Sequence, residues 1–161
     1  MDRADGGPSA SRNRGIRRSK GDVVIILDDD VLPHMDLVEQ HWRYHLKHPE
    51  PEAAALGNVY VPQRLLDDPM SLFHTFPYYE VENQNKLDYL HFWTCNVSFK
   101  RDFMLKKAMF PEDMLYFEDV AVSYKLEKLA GATTLITLRS GAASPATARA
   151  KAPWSPGRKA A

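Results

Sequence analysis

The apolar and polar positions of this chain alternate in the manner of an α/β protein. Val23-Val24-Ile25-Ile26-Leu27 is an unbroken apolar, mostly β-branched run. It predicts a strand buried on both faces, as in a parallel sheet covered by helices. Upstream, Ser9 or Ser11 is placed to cap a short helix through about Ser19, and Gly21 suits its end. Downstream, Pro33 opens a helix that runs to about His48 and stops before Pro49 and Pro51. Ala53 to Val61, Leu90 to Phe99 and Thr133 to Leu138 read as further strands. Arg101 to Lys107 reads as a short helix, and Glu118 to Gly131 as a longer one ended by its glycine. The mixed aromatic stretch 63–89 is expected to be irregular, with one short helix near Met70 to Phe76. Residues 1–11 read as a flexible start and 12–138 as the folded unit. The segment 139–161 reads as a disordered tail, since Trp154 is its only large apolar residue.

The apolar run leads straight into Asp28-Asp29-Asp30, at the strand end where open α/β sheets place ligands. Three adjacent carboxylates repel one another. A hard divalent cation such as Mg²⁺ or Mn²⁺ offsets that repulsion, the more so when it also holds phosphates. Asp28 and Asp30 share a direction if the extended geometry continues, whereas Asp29 points the other way and reads equally as a solvated turn. A second acidic pair, Glu118-Asp119, follows the loop Met114-Leu115-Tyr116-Phe117 at the start of the longer helix. The helix dipole favours carboxylates there, and Asp119 is a candidate general base.

Asn96 and Ser98 lie on one face of their strand and suit either a polar ligand or backbone groups at the strand end. Arg12, Arg14, Arg17, Arg18 and Lys20 form a basic helix that either steers a diphosphate or is simply solvated. His34, His41, His45 and His48 fall on nearly one helical stripe. They border the apolar face of Met35, Val38, Trp42 and Leu46, which favours packed or half-exposed histidines over a zinc site.

A length of 161 residues supports one domain with a real core, and an apolar fraction of 44 % argues against global disorder. Lysine plus arginine and aspartate plus glutamate balance at 21 each, so charge gives no case for nucleic acid. Cys95 is the only cysteine, which excludes an internal disulfide or an all-cysteine metal site. No apolar run approaches the ~20 residues that cross a bilayer. Asp2, Arg3 and Asp5 are unlike a secretion signal, and a cytoplasmic chain is the expectation.

In order and spacing, four segments resemble a family 2 glycosyltransferase of the GT-A fold. They are Gly7 to Gly15, Gly21 to Asp30, Asn96 to Arg101 and Phe117 to Val120. The resemblance implies an α/β, Rossmann-like mixed sheet flanked by helices, expected to be incomplete because nothing upstream supplies a first β-α-β unit. It implies that Asp28-Asp29-Asp30 is the DxD motif, with Asp30 on Mn²⁺ or Mg²⁺ and Asp28 near the metal and the nucleotide. Asp119 would be the base of an inverting transfer, with Glu118 near the acceptor and Asn96 beside the sugar. Arg12, Asn13 and Asp29 would complete the substrate contacts. The implied partners are a nucleotide-sugar donor, UDP-linked, and a hydroxyl acceptor such as a glycan. No Gln-x-x-Arg-Trp occurs, which disfavours a processive polymerase. Two other readings stand beside it: a catalytically dead remnant that binds sugar nucleotide or a partner, and a haloacid-dehalogenase-like phosphotransferase using Asp28 as nucleophile.

Overall fold

The computed structural model describes residues 7–60, 77–81, 84, 87–114, 116–130 and 135–143. Helix α1 (Gly7–Arg18) leads into strand β1 (Val23–Leu27), and a two-residue strand β2 (Leu32–Pro33) precedes helix α2 (Leu37–Lys47). Strand β3 (Ala54–Tyr60), a single turn of helix α3 (Tyr78–Val81), and a 3-10 turn at Tyr89–His91 follow. Strand β4 (Asn96–Lys100) runs directly into helix α4 (Arg101–Lys107), and helix α5 (Glu118–Ala130) precedes strand β5 (Leu135–Ala143). The strands form one mixed sheet in the order β1-β4-β3-β5-β2. Only β3 and β5 pair in parallel; β4 runs antiparallel to both its neighbours and β2 antiparallel to β5. The expected α/β mixed sheet flanked by helices is therefore present.

Several boundaries differ from the sequence expectation, each for a local reason. Strand β1 is an edge strand and all five of its residues are half-buried, so the expected burial on both faces is not found. Helix α1 starts at Gly7 and takes in residues expected to be loop. Pro33 does not open α2 but pairs with Ala142 on the outer edge of the sheet, where a residue without an N–H is tolerated. Leu90 to Cys95 is not strand, because Asp88 Oδ1 accepts from the Leu90 N–H and winds a 3-10 turn instead. Strand β5 continues past Leu138 to Ala143, because β3 beside it offers a parallel edge up to Tyr60. The helix expected near Met70 to Phe76 and the tail from 144 onward lie outside the described residues.

Cross-strand register sorts the side chains onto two unlike faces. On one, Val24, Phe99 and Ala54 align, as do Ile26, Val97 and Leu56. These pack with Ile16 from α1, Met104 from α4, and Val122 and Leu126 from α5, together with Phe92 and Phe110, to form the main apolar core. The opposite face is polar. Ala53 just before β3, and Ala55 and Gly57 within it, carry little side chain, which lets α2 approach, and Ser98 and Asn96 of β4 meet the histidines of that helix.

His41 is wholly buried and His45 is 5 % exposed. Asn96 Oδ1 lies 3.0 Å from His41 Nε2, so that nitrogen carries the proton in the tautomer the network assigns. His41 Nδ1 then accepts from Ser98 Oγ at 2.7 Å, and Ser98 Oγ accepts from His45 Nε2 at 2.9 Å. This chain of bonds docks α2 on the sheet where apolar contact would ordinarily do so. Of the four histidines, these are the packed ones; His34 and His48 lie further out and sit beside Asp36 and Glu50. Among the described residues no group of three or more His, Cys, Asp or Glu converges as a metal site.

Two outcomes follow. A Cβ added at Gly57 would come within 2.1 Å of Asn96 Nδ2, so Gly57→Ala has to displace the Asn96 carboxamide and with it the bond to His41. Equilibrium denaturation should show a loss of about 1–3 kcal/mol, as for overpacked cores. Burial lowers both histidines, His45 to about 4 from an ordinary 6.5. Between those pH values the unfolded chain binds more protons than the folded one, so stability is complete above about pH 6.5 and falls as pH drops toward 4. The thermal midpoint should fall across that window, and a midpoint unchanged between pH 7 and pH 5 would contradict the assignment.

Candidate functional site

Helix α1 and the loop before α5 are joined by a buried carboxamide. Asn13 is 1 % exposed; its Nδ2 donates to the Phe110 carbonyl at 2.8 Å, and its Oδ1 accepts from the Phe110 N–H at 2.9 Å. Nδ2 also reaches Glu112 Oε1 at 2.8 Å. The preceding residue, Arg12, bonds Glu118 Oε1 at 2.5 Å, both groups being largely buried, and its guanidinium lies 5.5 Å from the centre of the Phe110 ring. The far end of α1 is held as well: Arg101 Nε donates to the Ile16 carbonyl at 3.2 Å and Ser19 Oγ to the same oxygen at 2.8 Å. Helix α1 is thus fixed at its middle and its carboxyl end, and Arg12 is aimed at the start of α5.

The acidic segment after β1 is positioned by β4. The Asp28 N–H donates to the Cys95 carbonyl at 3.1 Å, prolonging the ladder by one bond, and the Val31 N–H then turns back to the Asp28 carbonyl at 3.3 Å. Burial raises the Asp28 carboxyl above its ordinary value, Arg12 draws it down, and Asp30 and Asp29 push it up again. Asp119 has a parallel environment. Burial raises it, the Val120 N–H at 2.8 Å and Arg12 stabilise its anion, and Glu118 opposes ionisation. Arg12 therefore acts electrically on both acidic segments, which the sequence separates by most of the chain.

Backbone strain is present at the second of these. Phe117 has φ of +61°, the left-handed region that a bulky side chain seldom occupies. Its carbonyl accepts from the Ala121 N–H at 3.0 Å, so the strained residue is the one that starts the helix carrying Glu118 and Asp119. Tyr116 and Phe117 themselves are 77 % and 74 % exposed. Such conformations concentrate at functional sites because the surrounding structure has to impose them.

The structure sorts the residues expected at a ligand. Asp28, Glu118, Asp119 and Arg12 form one electrostatic group, and Asp29 and Asp30 lie exposed beside it. Asn13 and Asn96 do not open onto it. The amide of Asn13 holds Phe110 and Glu112, and Asn96, wholly buried, holds His41. In this structure both stand behind the site as supports. Arg14, Arg17, Arg18 and Lys20 are exposed, the solvated-face reading. Sequence reasoning missed Tyr78, whose hydroxyl lies 2.7 Å from Cys95 Sγ next to Asp28. Burial pushes the Cys95 thiol up to about 11, so it stays protonated and is no nucleophile. No periodic or motif signal marks Tyr78, because its partner is brought to it only by the fold.

Residues 1–106 match glycosyl transferase family 2, and this chain belongs to that family. A crystal structure of S. aureus TarS (1-349) superposes with a TM-score of 0.58 at 15 % identity, over 87 % of this chain. The likeness shows a shared fold, that of the GT-A type, and this chain spans 40 % of the TarS chain. No curated protein matches. Membership of the family sets aside the haloacid-dehalogenase-like alternative.

Asn13→Ala leaves the Phe110 N–H and carbonyl buried without their partners. An unsatisfied buried group costs about 1–3 kcal/mol. Chemical denaturation should register a loss at the upper end of that range or beyond, and amide hydrogen exchange at Phe110 should quicken. A variant as stable as the parent would show that the carboxamide does not hold the two segments together.

Proposed function

We propose that this chain transfers a sugar from a nucleotide-diphosphate donor, UDP-linked, to a hydroxyl acceptor, by inversion and without processive elongation. The observation that supports this most is that Arg12, ion-paired to Glu118, also stabilises the charged forms of both Asp28 and Asp119. A cation flanked by two acidic segments suits a reaction in which a diphosphate departs and a hydroxyl loses its proton.

The donor set fits a divalent metal. Asp28 and Asp30 supply hard oxygen ligands; burial chiefly raises Asp28, and the repulsion from Asp30 and Asp29 that adds to it is what a cation would relieve. Among the described residues no third protein ligand converges there, so the diphosphate itself would complete the coordination, as is common for Mg²⁺-type sites. When bound, such a cation neutralises charge on the leaving diphosphate. Asp28 and Asp30 would hold it, Asp29, exposed on the turn, would contact the nucleotide, and Arg12 would add a positive charge for the phosphates.

In the transfer itself, the acceptor oxygen bonds to the anomeric carbon as the carbon–oxygen bond to the diphosphate breaks. The acceptor proton passes to a carboxylate oxygen of Asp119. Burial strengthens Asp119 as a base by raising its affinity for that proton. Glu118, held by Arg12, orients the acceptor and keeps the helix start in place. Asn13 and Asn96 act from behind by fixing the elements that carry these groups.

Calorimetric titration of UDP with and without Mn²⁺, beside Asp30→Asn, tests the donor half. Mn²⁺-dependent binding that the variant loses is the expected result. UDP release from UDP-sugars tests the other half: Asp119→Asn should lower turnover by about 10²–10⁴-fold, the usual contribution of a general base, with UDP binding retained. Binding without turnover in the parent chain would favour a sugar-nucleotide-binding remnant, and no binding by the folded chain would overturn the reading.

A further inference from the structure

Helix α2 buries His41 and His45 with Leu37 and Tyr44, and leaves a second apolar stripe outside. Val38, Trp42 and Leu46 recur every fourth residue and are 67 %, 50 % and 61 % exposed, with Met35 fully exposed beside them. Scattered exposed apolar residues need no explanation, but a contiguous stripe containing tryptophan marks a contact surface. Glu39 and Arg43 border the stripe and pair with each other at 2.6 Å.

We propose that this face packs against the same face of a second copy of the chain, the two α2 helices running antiparallel about a two-fold axis at Trp42. The pattern is self-complementary in that arrangement. Val38 and Leu46 lie four residues to either side of Trp42, so each Val38 meets the partner's Leu46 and the two tryptophans meet on the axis. Glu39 and Arg43 share one flank, three residues before the centre and one after it. Reversal brings Glu39 of each helix beside Arg43 of the partner subunit, so the two ion pairs within the helices can be exchanged for two across the interface. A lipid surface fits less well, because the exposed charges beside the stripe are mixed, Glu39 against Arg43 and Lys47, and their single net positive charge is far from the basic cluster that anionic headgroups select. One helix face is small beside the roughly 800 Å² per partner of a durable complex, so the association is concentration-dependent. The inference does not depend on the transfer reaction.

Sedimentation equilibrium of the intact chain, from low to high micromolar, should show the mass rising from one chain toward two. Leu46→Glu, with an unchanged circular dichroism spectrum, should remain monomeric throughout. Glu39→Arg should weaken association about tenfold or more by like-charge contact with Arg43, and combining it with Arg43→Glu should restore it. Trp42→Cys should oxidise to a covalent dimer, which the parent, with only the buried Cys95, does not form. A monomer at every concentration, or a dimer that Leu46→Glu leaves intact, overturns the proposal. So does a monomer that sediments with anionic vesicles, which would assign the stripe to lipid.

Discussion

The two-sided grip of Asn13 on Phe110 is the contact on which the arrangement of the site depends. It spans 97 residues of sequence and places both main-chain polar groups of Phe110 on one carboxamide. A buried polar group is costly unless every partner is present, so this contact either forms completely or opposes folding. Once it forms, Arg12, the preceding residue, meets Glu118 and Phe110 together. The acidic pair at the head of α5 is thereby drawn toward the acidic segment after β1. Without that link the two carboxylate groups would have no cation shared between them.

The sheet works as a divider between two kinds of packing. One face carries an apolar core that would be recognised in any α/β protein. The other carries two neutral histidines, a serine and an asparagine joined by directed hydrogen bonds, above small side chains of β3. Directed bonds fix the position and rotation of α2 more narrowly than apolar contact does, since a slip of one residue breaks all of them at once. The same choice leaves Val38, Trp42 and Leu46 of α2 on the outside, while Leu37 and Tyr44 are buried with the histidines. The polar docking and the exposed stripe are thus two consequences of one helix orientation.

Strain and charge converge at the start of α5. A left-handed Phe117 is sustained by neighbouring contacts, and the carboxylates that follow are half-buried with their charge partly compensated by Arg12. Incomplete compensation keeps Asp119 basic. A site with fully paired carboxylates would be more stable and less able to take up a proton, the usual opposition between stability and function.

Much was legible in the chain itself. Val23 to Leu27 followed by Asp28-Asp29-Asp30, the helix at Arg101–Lys107 and the start of α5 at Glu118 are fixed by local causes: β-branched runs, charge at helix ends and glycine stops. The α/β class and the acidic segments follow from these. Partners distant in sequence were not legible, because burial and pairing depend on which strand lies alongside. Strand β1 is half-buried since it occupies an edge, and Leu90 to Cys95 leaves the strand pattern for a local Asp88 turn. The histidine stripe and the apolar stripe of α2 are equally periodic, and sequence alone favours burying the apolar one. The tertiary structure decided otherwise, because Ser98 and Asn96 on β4 present hydrogen-bonding groups that only the histidine face can satisfy.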